Sequence, residues 1–198
     1  MELTNWDKME NPFNYMRGYG EGIGTPARNR MLELVEDGWS FLDVGCGPGI
    51  EYENLFAANR LARVRYKGID YSENFIKACK ANFPNADFEV QNALSLQEPD
   101  KSWDLVLLRH VLEHCPGYER PIREAFRVAR KLIVINMYKG LLEGLDQINC
   151  VGYNSWDCQY NKQRFLEYLS FFGFPFTYEL IEHPCNRFNH LWIIELGA

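Results

Sequence analysis

Apolar residues in this chain recur in two rhythms, and the switch between them sets out alternating strands and helices. Short apolar runs at residues 41–44, 66–70, 103–108 and 131–137 read as strands; the last is nearly continuous, as a central parallel strand should be. Residues 87–91 alternate apolar and polar, the pattern of a half-buried strand. Between them lie stripes at helical spacing: Ala27, Met31, Leu34 and Val35; Ile50, Leu55, Phe56 and Ala58; Phe75, Ile76 and Cys79; Ile122, Ala125, Phe126 and Ala129; Phe165, Leu166, Leu169 and Phe172. Punctuation agrees. Thr25-Pro26 predicts an N-cap followed by proline at the first helical position, and Gly38 and Gly173 predict helix stops. Strand and helix in alternation predict an α/β sheet with helices on both faces. Residues 176–182 and 190–196 alternate like two further strands, separated by Pro184 and Asn186.

Two segments keep neither rhythm. Residues 1–24 carry Trp6, Phe13, Tyr15 and Tyr19 among polar residues, too aromatic for a free tail. They either cover the sheet edge or form a lid, with Tyr15, Arg17 and Tyr19 as contacts to substrate. Residues 138–163, holding Tyr138, Tyr153, Trp156 and Tyr160, form a connection long enough to be functional in a compact domain; local packing is the other reading.

The run Phe41-Leu-Asp-Val-Gly-Cys-Gly-Pro-Gly-Ile50 organises the rest. An apolar strand stops in Gly45, Gly47 and Gly49, and Pro48 suits the first turn of a helix. Glycines there let backbone approach a ligand. The spacing is not the dinucleotide fingerprint G-x-G-x-x-G, because the third glycine arrives one position early. The stretch D-V-G-C-G-P-G, from Asp43 to Gly49, instead resembles motif I of the class I S-adenosylmethionine (SAM) methyltransferases. G-I-D-Y-S, with Asp70 and Tyr71, resembles their motif II, and the segment from Trp103 to His114 resembles motif IV of the small-molecule members.

The resemblance implies a seven-stranded, mostly parallel sheet with its last strand antiparallel, in a single domain over residues 1–198. It implies SAM as cofactor and a small organic acceptor; a protein acceptor, or a SAM-binding regulator without catalysis, are the alternatives. Asp43 would organise the methionine amine, and Gly45, Cys46, Gly47 and Gly49 would let the cofactor lie on the backbone. Asp70 would hold the ribose, and Tyr71, Asn92 and Ala93 the adenine. Families of this kind often carry Asp where Asn92 stands; Asn can both accept and donate. Arg109 would border the cofactor and His110 the methyl end. His110 reads either as a general base or as a residue bonding its loop. Tyr138 would join Tyr15, Arg17 and Tyr19 in contacting the acceptor.

His110-x-x-Glu113-His114 also matches a zinc motif, which would require a regular helix. Because His110 directly follows a buried strand, no metal is expected. The basic residues Arg60, Arg63, Arg65 and Lys67, and Arg123, Arg127 and Arg130, read as solvated faces.

Composition narrows the classes. The chain has 198 residues and a formal net charge of −6, which argues against generic binding to nucleic-acid backbone, though it leaves room for a local basic patch. No apolar run reaches the roughly 18 residues of a membrane span. Six scattered cysteines without a Cys-x-x-Cys pair suggest reduced thiols and a cytoplasmic setting. Nothing in the pattern speaks to oligomeric state.

Overall fold

The computed structural model of the protein describes residues 6–11, 14, 22–152, 155–183 and 187–197. Helix α1 (Pro26–Leu34) leads into strand β1 (Ser40–Val44), followed by α2 (Ile50–Ala57), β2 (Arg65–Asp70), α3 (Glu73–Asn82) and β3 (Asp87–Val90). Then come β4 (Trp103–Arg109), α4 (Glu119–Val128) and β5 (Ala129–Met137). A hairpin, β6 (Gln147–Gly152) with β7 (Ser155–Gln159), precedes α5 (Lys162–Phe171), β8 (Phe176–His183) and β9 (Arg187–Glu195).

Seven strands pair in the order β3-β2-β1-β4-β5-β9-β8. The first five run parallel. β9 is antiparallel to β5, and β8 pairs antiparallel with β9. The expected sheet with an antiparallel last strand is therefore the observed one. The chain builds outward from β1 to β3, then returns to the other side of β1 for β4. At such a switch point neighbouring connections leave in opposite directions and a crevice opens at the strands' C-terminal ends.

Side-chain alternation splits the core in two. Val106, Leu108, Ile133 and Ile135 pack with Ile122, Ala125, Phe165 and Leu169 from α4 and α5. Their strand neighbours Leu105, Leu107, Leu132 and Val134 pack with Met31, Leu55, Ile76 and Cys79 from α1, α2 and α3. Each central strand is thus apolar on both faces, which is why its sequence shows an unbroken run.

Several local readings change. Helix α1 ends at Leu34, ahead of Gly38, with Val35 already extended. The Arg60 guanidinium donates to the carbonyls of Leu32 and Val35, taking up acceptors that a helix end leaves unsatisfied. Pro48 precedes α2 rather than opening it; Gly49 is the cap, at φ +85°. The basic residues expected on solvated faces are mostly committed. Lys67 bridges Glu89 and Glu98, Arg65 lies over the Trp103 ring, and Arg127 holds Glu124, Asp100 and two backbone carbonyls. The 138–163 segment is less irregular than expected, because β6 and β7 pair within it. Among the described residues no helix is long and apolar enough to cross a membrane.

Candidate functional site

A cleft of about 530 Å³ opens at the C-terminal ends of β1, β2 and β4. That volume falls within the range of small-molecule pockets. The glycine turn forms its floor. Gly45 sits at φ +74°, and a Cβ there would meet Val111 Cγ2 at 2.4 Å, so glycine is required by packing as well as by conformation. Gly47, at φ +53°, differs: a Cβ on it would meet nothing within 4 Å. Its backbone borders open space, with Gly45 and Cys46 beside it on the cleft wall. Gly49 does not border the cleft. A Cβ there would press on Cys79, Phe83 and Phe88 at 3.2 Å each, so the third glycine serves helix packing and not, as expected, ligand approach. Burial keeps the Cys46 thiol protonated well above its ordinary range, so this cysteine is a wall and not a nucleophile.

Two acids stand over the floor. Asp70, the last residue of β2, accepts from the N–H groups of Gly47 at 2.9 Å and Ser72 at 2.8 Å. Loss of bulk water raises its pKa to about 6 against those two donors. Ser72 takes the α3 N-cap role, accepting from the Phe75 N–H, which leaves Asp70 to the turn and the cleft. Asp43, on β1, is 2% exposed and accepts from the Tyr66 hydroxyl at 2.7 Å. Burial and the nearby Glu51 carboxylate push Asp43 up to about 7, opposed by the Tyr66 bond and by Arg28 and Arg109.

Arg28 and Glu51 escaped the sequence reading, which gave the two helices only their apolar stripes. They form a buried ion pair between α1 and α2, and both border the cleft. Glu51 Oε1 is buried and has no hydrogen-bond donor among the described residues. A glutamate in a first helical turn ordinarily reads as a dipole complement, so its sequence signal is weak. Arg109, 7% exposed, donates to Asn136 Oδ1 at 3.0 Å and borders the cleft beside Asp43. Tyr71, Asn92 and Ala93 line the wall at the β2 and β3 ends. Asn92 Oδ1 already accepts from the Leu94 N–H at 2.9 Å, closing a tight turn.

At the far end, His110 takes φ +54°, a conformation unusual for a side-chain-bearing residue. Its N–H donates to the Asn136 carbonyl at 2.7 Å, and its Nε2 lies 2.9 Å from Asn189 Oδ1. The Tyr138 ring stands edge-on to it, 5.1 Å away. His114 donates from Nδ1 to the Trp156 carbonyl at 3.0 Å. Glu113 Oε1 accepts from the Tyr138 N–H at 2.6 Å, and burial pushes this acid up to about 7. The H-x-x-E-H side chains therefore turn apart: His110, ahead of a 3₁₀ turn (Leu112–His114), to β9, Glu113 to the end of β5 and His114 to β7, with no regular helix joining them. Among the described residues no three of His, Cys, Asp or Glu group as metal ligands.

The β8–β9 hairpin was expected only to close the sheet. Its strands run nearer the tip than their apolar alternation suggests, to His183 and from Arg187. This carries His183, Arg187, Phe188 and Asn189 to the cleft. Trp6 reaches it from the N-terminal side, packing on Phe75 at 5.8 Å and on His114 at 5.1 Å. The expected contacts Tyr15, Arg17 and Tyr19 lie outside the described residues; Tyr138 borders the cleft.

Comparison with known proteins agrees with the fold. Residues 42–132 match the family described as "Methyltransferase domain". The chain is 29% identical over 117 residues to trans-aconitate 2-methyltransferase of Variovorax paradoxus, covering 59% of this chain and spanning 44% of that relative's length. In solved structures, it is similar to a chain of the complex between the Haloferax volcanii Trm112 methyltransferase activator and a methyltransferase, with a TM-score of 0.75, 13% identity and full coverage of both chains. It is also similar to the Burkholderia thailandensis 1,6-didemethyltoxoflavin-N1-methyltransferase with bound 1,6-didemethyltoxoflavin and S-adenosylhomocysteine, with a TM-score of 0.62 and 14% identity, covering 87% of this chain and 77% of that one. At such identities the two structures speak to fold alone.

Proposed function

We propose that this chain is a class I SAM-dependent methyltransferase that binds SAM in the cleft and methylates a small organic acceptor; the methyltransferase-domain match over residues 42–132 and the shared fold support the reading. The observation that carries the reading is the pairing of Asp70 with Gly47. An acid at the end of β2 is tied to a glycine turn whose backbone borders open space. A ribose meets such an acid through two hydroxyl donors, and a Cβ-free turn leaves room for the adjoining chain of the ligand.

The remaining residues fit around that anchor. Asp43 and Glu51, whose Oε1 has no donor among the described residues, suit the methionine ammonium, and Arg28 and Arg109 suit its carboxylate. Tyr71 and Ala93 offer apolar contact to adenine, and Asn92, its Oδ1 engaged by Leu94, offers chiefly its amide N–H group. When bound, SAM supplies a methyl carbon on a sulfonium, an electrophile already activated for displacement. The chain's own task is to align the acceptor and keep water out. In this reading His110, held between Asn136 and Asn189, serves as the general base for an acceptor hydroxyl or amine. The small-molecule acceptor is supported by the cleft's size and by the small acceptors named for the relatives. The assay is transfer of tritiated methyl from SAM into solvent-extractable products, with Asp70→Asn as control. Label appearing only in protein would replace the small acceptor by a macromolecular one.

The N-terminal segment is proposed as a lid. Asp7 accepts from the Ser72 hydroxyl at 2.6 Å, and Asn74 Nδ2 donates to the carbonyls of Trp6 and Met9. Trp6 thereby spans from α3 to His114 across the cleft. Residues 6–11 should gain hydrogen-exchange protection when S-adenosylhomocysteine binds. Equal protection with and without ligand would make the segment fixed scaffold.

A further inference from the structure

The two ends of the cleft differ in charge. Its bordering carboxylates, Asp43, Glu51 and Asp70, all belong to the β1–α2–β2 side. Across the cleft, the polar groups are Arg187, Asn189 and the imidazoles of His110, His114 and His183. Among the described residues no acid borders the cleft at this end. Arg28 is paired with Glu51, and Arg109 lies beside Asp43. Arg187 sits directly opposite His183 in the β8–β9 register, at the exposed mouth, and makes no ion pair among the described residues. The other walls at this end are flat: Trp6, Tyr138, Trp156 and Phe188.

Together these features select a class of acceptor. From them we infer that the acceptor is a flat, conjugated small acid, its anionic group held by Arg187 with His183 and its plane set against the aromatic walls. The inference rests on the methyl-transfer reading and goes beyond it. A guanidinium fork matches a carboxylate in two parallel bonds, which fixes orientation as well as adding affinity. A cationic acceptor of the same shape meets an unanswered arginine and is rejected, so the same residue supplies attraction and exclusion. Nothing in sequence pointed to this: Arg187 falls in what reads as the connection between two alternating strands.

The test uses the full chain saturated with S-adenosylhomocysteine and two matched trios of probes: cinnamate, cinnamamide and cinnamylamine, and 2-naphthoate, 2-naphthamide and 2-naphthylmethylamine. Calorimetry should show at least one acid binding about tenfold or more tighter than its amide, with the amines not binding. Arg187→Gln should remove that preference, about a tenfold loss for the acid, while leaving the amide and S-adenosylhomocysteine unaffected. An amide or amine that binds as tightly as the acid, an acid preference that survives Arg187→Gln, or no binding by either acid would overturn the inference. Binding of S-adenosylhomocysteine is read separately. If it binds while the acids show no preference, only the acceptor class falls; if it does not bind, the methyl-transfer reading falls and takes this inference with it.

Discussion

Replacing Asp70 by alanine is expected to weaken S-adenosylhomocysteine binding by about 10- to 100-fold while leaving the protein folded. A hydrogen bond to a charged acceptor contributes roughly 1.5–3 kcal/mol, which is about that range in affinity. The side chain sits at a strand end over the cleft and not in the core, and its internal bonds go to two backbone N–H groups at a turn. Those donors can turn to water once the carboxylate is gone. Asp70→Asn keeps the size and one acceptor oxygen, so it should lose less than alanine does. The pH dependence carries a second signature. Asp70 is raised to about 6 and Asp43 to about 7 by burial. Ribose hydroxyls and an ammonium both favour the ionised acids, so ligand affinity should fall as pH drops through 7 and then 6. Below a group's pKa, its share declines by up to about tenfold per pH unit. For the unliganded fold the sign is opposite. A folded-state pKa raised above the unfolded value means that the folded protein holds its proton longer, so these two acids remove stability as pH rises from about 4 towards 7. Glu113, buried outside the cleft and also raised to about 7, adds to the stability trend, so the fall in affinity is the signature specific to Asp43 and Asp70. Affinity independent of pH between 5 and 8, or Asp70→Ala binding as wild type does, would remove this acid from the site.

Gly45→Ala is expected to destabilise the fold by about 2–5 kcal/mol. The left-handed conformation at φ +74° costs a Cβ-bearing residue roughly 1–2 kcal/mol. The new methyl group would also lie 2.4 Å from Val111 Cγ2, and relieving such a clash in a packed region costs about 1–3 kcal/mol more. Gly45 cannot easily shift, because its N–H donates to the Ile69 carbonyl at 2.7 Å and it directly follows the fully buried β1. The Val111→Ala background separates the two parts. There the clash is gone and only the conformational penalty remains, so a double-mutant cycle in urea should show favourable coupling between the sites. Gly47→Ala is the counterpart. It has the positive φ but no clash, so it should cost stability only about 1–2 kcal/mol and instead weaken ligand binding. A Gly45→Ala change within about 0.5 kcal/mol of wild type would mean that the turn is looser than the structure indicates.

These variants also mark how far the sequence could be read. The sheet was legible because its central strands are buried on both faces and its helices carry apolar stripes, so period and length were enough to separate them. The glycine turn and Asp70 were legible because they lie next to each other in the chain logic of strand, turn and helix. Gly49 was misjudged for a physical reason: a positive φ is needed equally for ligand approach and for close packing on Phe83 and Phe88, and spacing alone cannot separate them. Arg28, Glu51, Asn136, His183 and Asn189 were missed because each works through a partner distant in sequence. Arg28 needs α2, Asn189 needs His110 across 79 residues, and Arg187 needs the β8–β9 register to reach the cleft. His110 is intermediate. Its position after β4 was evident, but its left-handed backbone and its bond to Asn189 depend on β5 and β9 being in place.

The central claim is that the cleft over Gly47 and Asp70 is a SAM site, and the most direct measurement is thermal and calorimetric titration of the whole chain at pH 7.5 with S-adenosylhomocysteine and, separately, with NADH. The account predicts one S-adenosylhomocysteine per chain, stabilising the fold by about 2.7 kcal/mol when the ligand is at 100 times its dissociation constant, and no response to NADH. Stabilisation by NADH without any by S-adenosylhomocysteine would contradict it.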